Sequence, residues 1–248
     1  LPFAGVGHDI IHGDITGRVN WSGELKSPEP RGTILITRGK VLSSIPYNLI
    51  VASFETVKSK IMVTEFVLQQ TALKTSLRLS GELDKDKFEF VLKLDEFLIY
   101  GKTVSGDVHI TGRKSRDNVM EFAVVSDNLT IDRITEKLSV EGIYDGTKID
   151  IKKILWGSKV VGVASYIISS KYLSSEVKFE LDAECINKAS HGSFKGKVSI
   201  NGDIKNPHIL ANCIFNGGIY EKAARASGQV SIDSGVLSIE KAKLFIDG

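Results

Sequence analysis

The chain has 248 residues, 42% of them apolar and 25% charged, so it can bury a sizeable core and lacks the composition of a disordered protein. Its 32 basic and 30 acidic residues are interspersed and give a formal charge of +2. A nucleic-acid-binding surface needs a clustered basic field, so no nucleic-acid partner is expected.

The two cysteines, Cys185 and Cys213, exclude a disulfide-built scaffold. They leave open one disulfide or two buried thiols, and the thiols are favoured because free cysteine often acts as a small core residue. Leu1-Pro2-Phe3 does not resemble a signal peptide, and the most apolar stretch, Ile154–Ser169, is too short for a transmembrane helix and contains Lys159. The chain starts and stops inside apparent strands, which predicts one repetitive β domain over residues 1–248, part of a longer protein.

Apolar and polar residues alternate with a period of two along most of the chain, which predicts β-strands. The segments are rich in the β-branched and aromatic residues that favour strands. In chain order they are Gly17–Ser22, Thr33–Thr37, Thr75–Ser80, Lys87–Leu94, Val104–Thr111, Val119–Val125, Lys137–Glu141, Lys148–Ile154, Lys159–Ile168, Glu176–Ala183, Ser193–Ile200, Ala211–Phe215, Gly228–Ile232 and Leu237–Phe245.

Three residue pairs, Asp145-Gly146, Asn201-Gly202 and Asn216-Gly217, predict tight hairpin turns because they accept positive φ angles. Short helical turns are predicted near Asp127–Lys137 and Tyr220–Ala226. Together these elements predict an all-β fold in which antiparallel strands follow one another as a meander.

The sequence contains an internal repeat. Five strand-like segments end in glycine: Gly17–Gly23, Thr75–Gly81, Gly106–Gly112, Glu136–Gly142 and Gly196–Gly202. The final glycines are 58, 31, 30 and 60 residues apart, which indicates a unit of about 30 residues with two places unfilled. A weaker copy, Gly228–Gly235, contains one inserted residue.

The repeat separates apolar from polar positions. The residues four and two places before each final glycine are all apolar: Val19, Trp21, Leu77, Leu79, Val108, Ile110, Leu138, Val140, Val198 and Ile200. The residues three and one places before it are all polar: Asn20, Ser22, Arg78, Ser80, His109, Thr111, Ser139, Glu141, Ser199 and Asn201. Successive side chains of a strand point to opposite faces, so one face of the sheet is predicted to be apolar and the other wet.

Two copies continue beyond the final glycine into a proline turn, a small residue and another strand. Gly17–Pro28 and Gly196–Pro207 both match Gly-x-Val-x-x-x-Gly-x-x-x-x-Pro. This pattern resembles the repeats of the AsmA-like superfamily, most closely those of the TamB type, and Gly228–Gly248 is similar to them as well. The resemblance rests on glycines, prolines and alternation, and residues 40–70 and 143–190 depart from it.

The resemblance implies an elongated antiparallel sheet curved into an open apolar groove, a fold described as a β-taco. It further implies a bridge-like lipid-transfer protein in the periplasm, between the inner and outer bacterial membranes, that supports outer-membrane biogenesis. Acyl chains of phospholipids or other lipids would slide along the ten apolar positions while the head groups stay in water. The protein would be anchored to the membrane through segments outside this chain. Its inner- and outer-membrane partner proteins would bind outside this chain as well.

Physical reasoning leaves a second interpretation of the apolar face open. A sheet with one apolar face must cover that face with a second sheet or with a ligand. The first solution is a structural or adhesive β-repeat stalk with a closed core, and there Trp21 and Trp156 are core residues rather than lipid contacts. A parallel β-helix enzyme acting on carbohydrate has a similar period, but the hairpin signals favour antiparallel pairing and no acidic cluster is visible.

Other motifs give little support for catalysis or metal binding. His8 and His12 have a spacing that can bind zinc on a helix, but no third ligand is near them and glycines flank the segment. Asp84–Lys87 lacks the further oxygen ligands of a calcium loop and is interpreted as a charged hairpin turn. Nucleophile elbows and dinucleotide loops are absent from the sequence. We therefore expect no enzymatic activity, no cofactor and no metal.

Overall fold

The computed structural model describes residues 11–24, 27–41, 45–58, 60–70, 76–99, 101–115, 119–185, 189–204, 206–219, 222–233 and 236–246. Over these residues the protein is all-β, with sixteen strands and one 3₁₀ turn at Ala183–Cys185. The strands form one antiparallel sheet in which spatial order equals chain order, from β1 to β16. The predicted all-β class and antiparallel meander are confirmed, and this pairing does not fit a parallel β-helix.

The strands are eight to fifteen residues long. Their bounds are β1 Ile11–Glu24, β2 Ser27–Val41, β3 Ile45–Val57, β4 Lys60–Gln69, β5 Ser76–Leu83, β6 Lys87–Ile99, β7 Lys102–Lys114, β8 Met120–Ile131, β9 Ile134–Tyr144, β10 Lys148–Trp156, β11 Val160–Ile167, β12 Tyr172–Asp182, β13 Ser190–Asp203, β14 Asn206–Ile219, β15 Lys222–Asp233 and β16 Val236–Ile246.

The chain forms two compact units, with boundaries after Lys114, within β8 and within β9. The first unit comprises Leu1–Lys114 with Val124–Glu136, and the second comprises Ser115–Ala123 with Lys137–Gly248. Among the described residues, no helix is long and apolar enough to cross a membrane.

Every one of the fourteen predicted strands overlaps a strand of the structure, although Thr75 lies outside the described residues. Two strands, β3 and β4, were not predicted. The sequence of β3 contains the continuous apolar run Leu49–Ala52, and the pairing of β3 with β4 shifts between Ser53 and Phe54. Both features break the period-two pattern on which the prediction depends.

The two predicted helical turns are wrong. Asp127–Lys137 comprises the end of β8, a two-residue turn at Asp132-Arg133 and the start of β9. Tyr220 lies outside the described residues, but Lys222–Ala226 belongs to β15. The alanines there favour a helix locally, yet each pairs with β14, for example Ala224 with Gly217, so tertiary pairing overrides propensity.

Of the predicted hairpin turns, the Asp145-Gly146 turn between β9 and β10 is confirmed. The Asp84–Lys87 interpretation is confirmed as well, because residues 84–86 join β5 to β6. Asn201-Gly202 and Asn216-Gly217 are wrong, since both lie within strands. A Cβ on Gly217 would overlap the backbone of His191 on β13, so this glycine allows a close approach of two strands rather than a turn.

The core of the first unit contains a cluster of buried residues contributed by β3, β4 and β6: Ile45, Tyr47, Ile50, Leu68 and Phe97. Near the cluster Arg38 in β2 and Glu96 in β6 have φ angles of 53° and 47°. The register of β6 with β7 shifts beside Glu96, between Leu94 and Phe97, which places Phe97 and Leu94 against the same cluster.

Candidate functional site

In the first unit, the cross-strand register collects apolar residues on one face. Directly paired residues of antiparallel strands share a face, so each chain of pairs traces a row across the sheet. One row from β1 to β7 reads Gly17, Ile34, Ala52, Phe66, Leu79, Leu92 and Val108. The next row reads Val19, Gly32, Phe54, Val63, Gly81, Phe90 and Ile110. Leu77 lies one row further along, paired with Leu68 and Leu94.

The second unit has rows of the same kind over eight strands, β9 to β16. One reads Val140, Ile154, Gly162, Val177, Val198, Ala211, Val230 and Ile239. Its neighbour begins Leu138, Trp156, Val160, Phe179, Gly196, Cys213 and Gly228. Ile200 lies in the row on the other side, between Ser175 and Ile209. We call the surfaces formed by these rows the apolar face of each unit.

The structure therefore places the ten predicted apolar residues on the apolar faces of their respective units. Trp21 extends the face on β1, where it pairs with Pro30. The sequence alignment found only positions on odd-numbered strands. The even-numbered strands contribute further residues, such as Phe66, Leu92 and Ile154. The alternation within β6 and β10 was the signal for Leu92 and Ile154, whereas the broken alternation of β4 gave none for Phe66.

Within the second unit, the described residues do not cover its apolar face. Among its described residues, the only apolar side chains that are fully buried are Ala183 and Ala224. Leu138, Val140, Val198 and Ile200 are all half-buried, flanked by neighbours on the same sheet. A closed sandwich of this size buries its large aliphatic and aromatic residues fully, so these residues do not form such a core.

The apolar face of the first unit is graded from buried to exposed. Val108 is only 4% exposed, and the buried cluster around Tyr47 lies towards one end of the strands. Leu77, Leu79 and Ile110 are half-buried. On the outer strand β1, Val19 is 40% and Trp21 71% exposed. Only part of this face is thus protected by protein atoms.

Several glycines of the repeat segments have a packing role that the sequence did not reveal. In four glycine–aromatic pairs, a Cβ on the glycine would collide with a ring on a neighbouring strand: Gly81 with Phe90, Gly112 with Phe88, Gly142 with Phe122 and Gly196 with Phe179. The missing side chain leaves space for the ring to lie across the strand, an arrangement known to stabilise glycines in sheets. Gly202 is different, because its hypothetical Cβ meets nothing closer than 3.6 Å.

The opposite face is wet and charged, as predicted. Of the ten predicted polar residues, Ser139 and Ser199 are half-buried and the other eight are exposed. Ion pairs cross from strand to strand on this face, including Lys195–Glu180 and Lys197–Glu176, both at 2.7 Å. Exposed pairs of this type stabilise a sheet only weakly, but they fix which face meets water.

A depression of about 460 Å³ on the wet face is lined by residues of β10 to β13. It contains two carboxylates, Asp150 and Glu176. A hydrogen bond from Lys148 lowers the pKa of Asp150, and one from Lys197 lowers the pKa of Glu176. Carboxylates held in the ionised form by lysines are poorly suited to proton abstraction at neutral pH.

The possible zinc site at His8 and His12 lies outside the described part of the chain. His8 is not among the described residues, and neither is the side chain of His12. Within the described ranges, no three His, Cys, Asp or Glu residues are grouped closely enough to hold a metal ion.

Two side chains on the apolar face of the second unit each carry a single polar group. Cys213 is a free, half-buried thiol, and burial raises its pKa. The side chain of Cys185 lies outside the described residues. The indole N–H of Trp156 is buried and has no acceptor among the described residues.

Comparison with known proteins gives no match, since no family model, no curated protein and no solved structure is significantly similar to this chain.

Proposed function

We propose that this chain is a segment of a lipid-transfer protein of the AsmA-like, TamB type, and that its apolar faces shield lipid acyl chains from water. The mechanism is passive. Hydrocarbon lies along the apolar rows, the polar head groups remain in solvent, and the protein makes or breaks no bond. The location that this function requires is the periplasm, between two membranes.

The observation that carries this proposal is the uncovered apolar face of the second unit. The row from Val140 to Ile239 continues over eight strands without a charged residue, yet no large apolar side chain among the described residues of this unit is fully buried. An apolar surface of this extent marks a binding site for hydrocarbon or for another protein.

The composition of the rows favours acyl chains as the ligand. Aliphatic, aromatic and glycine residues make up most of the rows, and no charged residue in them would fix one binding position. Each methylene removed from water contributes roughly 0.8 kcal/mol, so an acyl chain is retained while it can still move along the rows. Curvature of the sheet into a groove is part of the proposal, because hydrocarbon needs to be enclosed on more than one side.

The competing function is a structural or adhesive stalk with a closed apolar core. The buried cluster around Tyr47, Ile50 and Phe97 in the first unit favours it locally. The half-exposed rows of the second unit do not, because a stalk of this design would expose a large aggregation-prone surface.

Site-specific photocrosslinking distinguishes the two functions. A photoreactive phenylalanine analogue replaces Ile200 on the apolar face, and in a matched control it replaces Ser199, the adjacent residue on the wet face. The protein is produced in bacteria, irradiated and analysed by mass spectrometry for attached phospholipid. Lipid adducts at position 200 and none at position 199 are expected.

Solvent extraction of the unlabelled protein provides the second readout. Phospholipid in roughly stoichiometric amount supports the proposal. A cooperatively folded protein that carries no lipid and gives no adduct at either position contradicts it, and the stalk is then the better function.

A further inference from the structure

Burial on the apolar face of the first unit changes along the direction of the strands. Fully buried side chains lie where β3 and β7 begin and where β4 and β6 finish: Ile45, Tyr47, Leu68, Phe97 and Val104. Because neighbouring strands are antiparallel, these positions meet at one end of the strands, which we call the buried end. At the opposite, open end of these four strands, no apolar side chain among the described residues is fully buried.

Strand β7 shows this change within one run of side chains on the apolar face. Val104 and Val108 are 8% and 4% exposed, and Ile110 further along is half-buried. The last residue of the strand, Lys114, has the same parity as these three and therefore belongs to the same face. The face thus passes from buried hydrocarbon to a positive charge along a single strand.

The length of this run fits one phospholipid. A strand rises by about 3.3 Å per residue, so the six residues from Val108 to Lys114 span about 20 Å. A bilayer is about 30 Å thick in its hydrocarbon core and about 40–45 Å with its head groups, so one phospholipid spans about 20–22 Å. A lipid with its chain ends against Val108 therefore has its phosphate near Lys114.

The lysines at the open end are available to an anionic group. Lys58 lies in the turn between β3 and β4, and neither its ammonium group nor that of Lys114 forms an ion pair with a described residue. Residues 84–87, between these two positions, carry two lysines and two aspartates and are balanced. At the buried end, by contrast, Lys102 is paired with Asp132 at 2.7 Å. An unpaired lysine next to an apolar surface is suited to binding a phosphate.

We propose that the first unit binds a phosphate-bearing lipid with long acyl chains in one orientation. The chains lie along the strands with their terminal methyl groups at the buried end, and the phosphate lies beside Lys58 and Lys114 at the open end. The chains then cross the apolar rows, while the whole molecule moves along them. This inference rests on the proposed function, because it states how the lipid is oriented once it is bound.

Fluorescence quenching by brominated lipid tests the orientation. Phe88→Trp near the open end and Leu94→Trp towards the buried end put reporters on one face of β6, about 20 Å apart, at half-buried positions. Both are made in a protein whose own tryptophans, Trp21 and Trp156, are replaced by phenylalanine. Each variant is loaded from phosphatidylglycerol vesicles and then separated from them. The acyl chains carry bromine either near the carboxyl group or near the terminal methyl group.

The reporter at position 88 is expected to lose more fluorescence with bromine near the carboxyl group. The reporter at position 94 is expected to lose more with bromine near the terminal methyl group. If Phe88→Trp does not fold, Phe90→Trp on the same face replaces it, and circular dichroism verifies the fold of each variant.

Charge reversal at the open end tests the phosphate position. Lys114→Glu is expected to weaken retention of phosphatidylglycerol roughly threefold or more, because it replaces an attraction to the phosphate by a repulsion. Retention of diacylglycerol with the same acyl chains should not change, since that lipid has no phosphate. Arg113→Glu makes the same change of charge at the adjacent residue on the wet face, and it is the control that should affect neither lipid.

The outcomes separate this inference from the proposed function. Bound lipid that quenches both reporters equally, or in the reverse order, overturns the orientation and leaves lipid binding intact. Retention of phosphatidylglycerol that Lys114→Glu does not change, or that Arg113→Glu weakens as much, overturns the phosphate position. A folded protein that shows no quenching with either lipid and yields no lipid on extraction contradicts the proposed function itself, and this inference with it.

Discussion

At the scale of single residues, the atoms of neighbouring strands decide whether a glycine of this sheet can be replaced by a larger residue. Gly196 and Gly228 both pair with Cys213 and belong to the same apolar row. A Cβ on Gly196 would lie 2.5 Å from a ring carbon of Phe179 and 2.6 Å from the carbonyl oxygen of Asn212. A Cβ on Gly228 would find its nearest atom at 3.7 Å.

Gly196→Ala is therefore expected to destabilise the protein by about 1–3 kcal/mol, the usual effect of overpacking. Gly228→Ala is the matched control and is expected to be neutral or slightly stabilising, since alanine restricts the unfolded chain. Urea denaturation measures both. Equal midpoints for the two variants would show that the Phe179 ring moves aside freely.

Asp145 closes the β9–β10 turn with its carboxylate. One oxygen accepts hydrogen bonds of 2.8 Å from the N–H of Thr147, the hydroxyl of Thr147 and the N–H of Lys148. These bonds lower the pKa of Asp145 below its ordinary value of 3.8, and the bond from the Thr147 N–H has the largest effect. The stabilisation is complete above this value and is lost as the pH falls through the lowered pKa.

We expect acidification below pH 3.8 to remove the contribution of Asp145, so that Asp145→Asn lowers the urea midpoint at pH 7 more than at the acidic end. The comparison is the difference between the original protein and the variant at each pH, which cancels the titration of other carboxylates. A difference that is independent of pH would mean that the ionised form has no special role in this turn.

At the scale of elements, the sequence predicts strands well where alternation is regular and poorly where bulges interrupt it. β13 was predicted from Ser193–Ile200, because polar and apolar residues alternate there without a break. β4 was not predicted, because its pairing with β5 shifts between Val63 and Phe66 and moves the apolar side chains out of step. Asn216-Gly217 shows the opposite error, since a strong turn pair lies inside a strand.

The apolar face could be predicted from the repeat, but its exposure could not. Whether Val198 and Ile200 meet solvent or a second sheet depends on what the remaining strands do, and alternation is the same in both cases. The aromatic partners of the repeat glycines could not be predicted either, since Phe179 lies 17 residues from Gly196 and comes near it only through the β12–β13 register.

Gln70 shows how the first unit keeps its register between β4 and β6. Its side-chain amide donates to the carbonyl oxygen of Leu98 and its carbonyl oxygen accepts from the N–H of Leu98, both at 2.9 Å. The side chain thus imitates one pair of strand hydrogen bonds. Gln70 is only 6% exposed, so these bonds are shielded from water.

Gln70→Ala is expected to cost about 1–3 kcal/mol of unfolding free energy, because it leaves two backbone groups of Leu98 without their partners. Gln69→Ala, which removes the neighbouring exposed side chain, is the control and should change stability little. Hydrogen exchange at the Leu98 amide gives a local readout and should accelerate only in the Gln70 variant.

At the scale of the whole molecule, the proposed function predicts that a charge on the apolar face blocks lipid binding without unfolding the sheet. Ile110→Asp places a carboxylate on the row shared with Val19 and Phe90. Hydrocarbon cannot cover an ionised group without a large desolvation cost, so bound phospholipid should fall about tenfold or more.

Thr111→Asp adds the same charge at the adjacent position on the wet face and should leave lipid content unchanged. Quantitative mass spectrometry of extracted lipid measures the effect, and circular dichroism checks the fold. If Ile110→Asp unfolds the protein while Thr111→Asp does not, Ile110 is a core residue and the lipid-facing role of this position is wrong.

The strict meander order of the sixteen strands has a consequence for how such a chain folds and changes in length. Every strand hydrogen-bonds to its neighbours in sequence, so the contacts that define the sheet are local and loop closure costs little entropy. Folding can spread hairpin by hairpin, as in linear repeat proteins. A hairpin can likewise be gained or lost without rerouting any other connection, so the number of strands in such a sheet can change in steps of two.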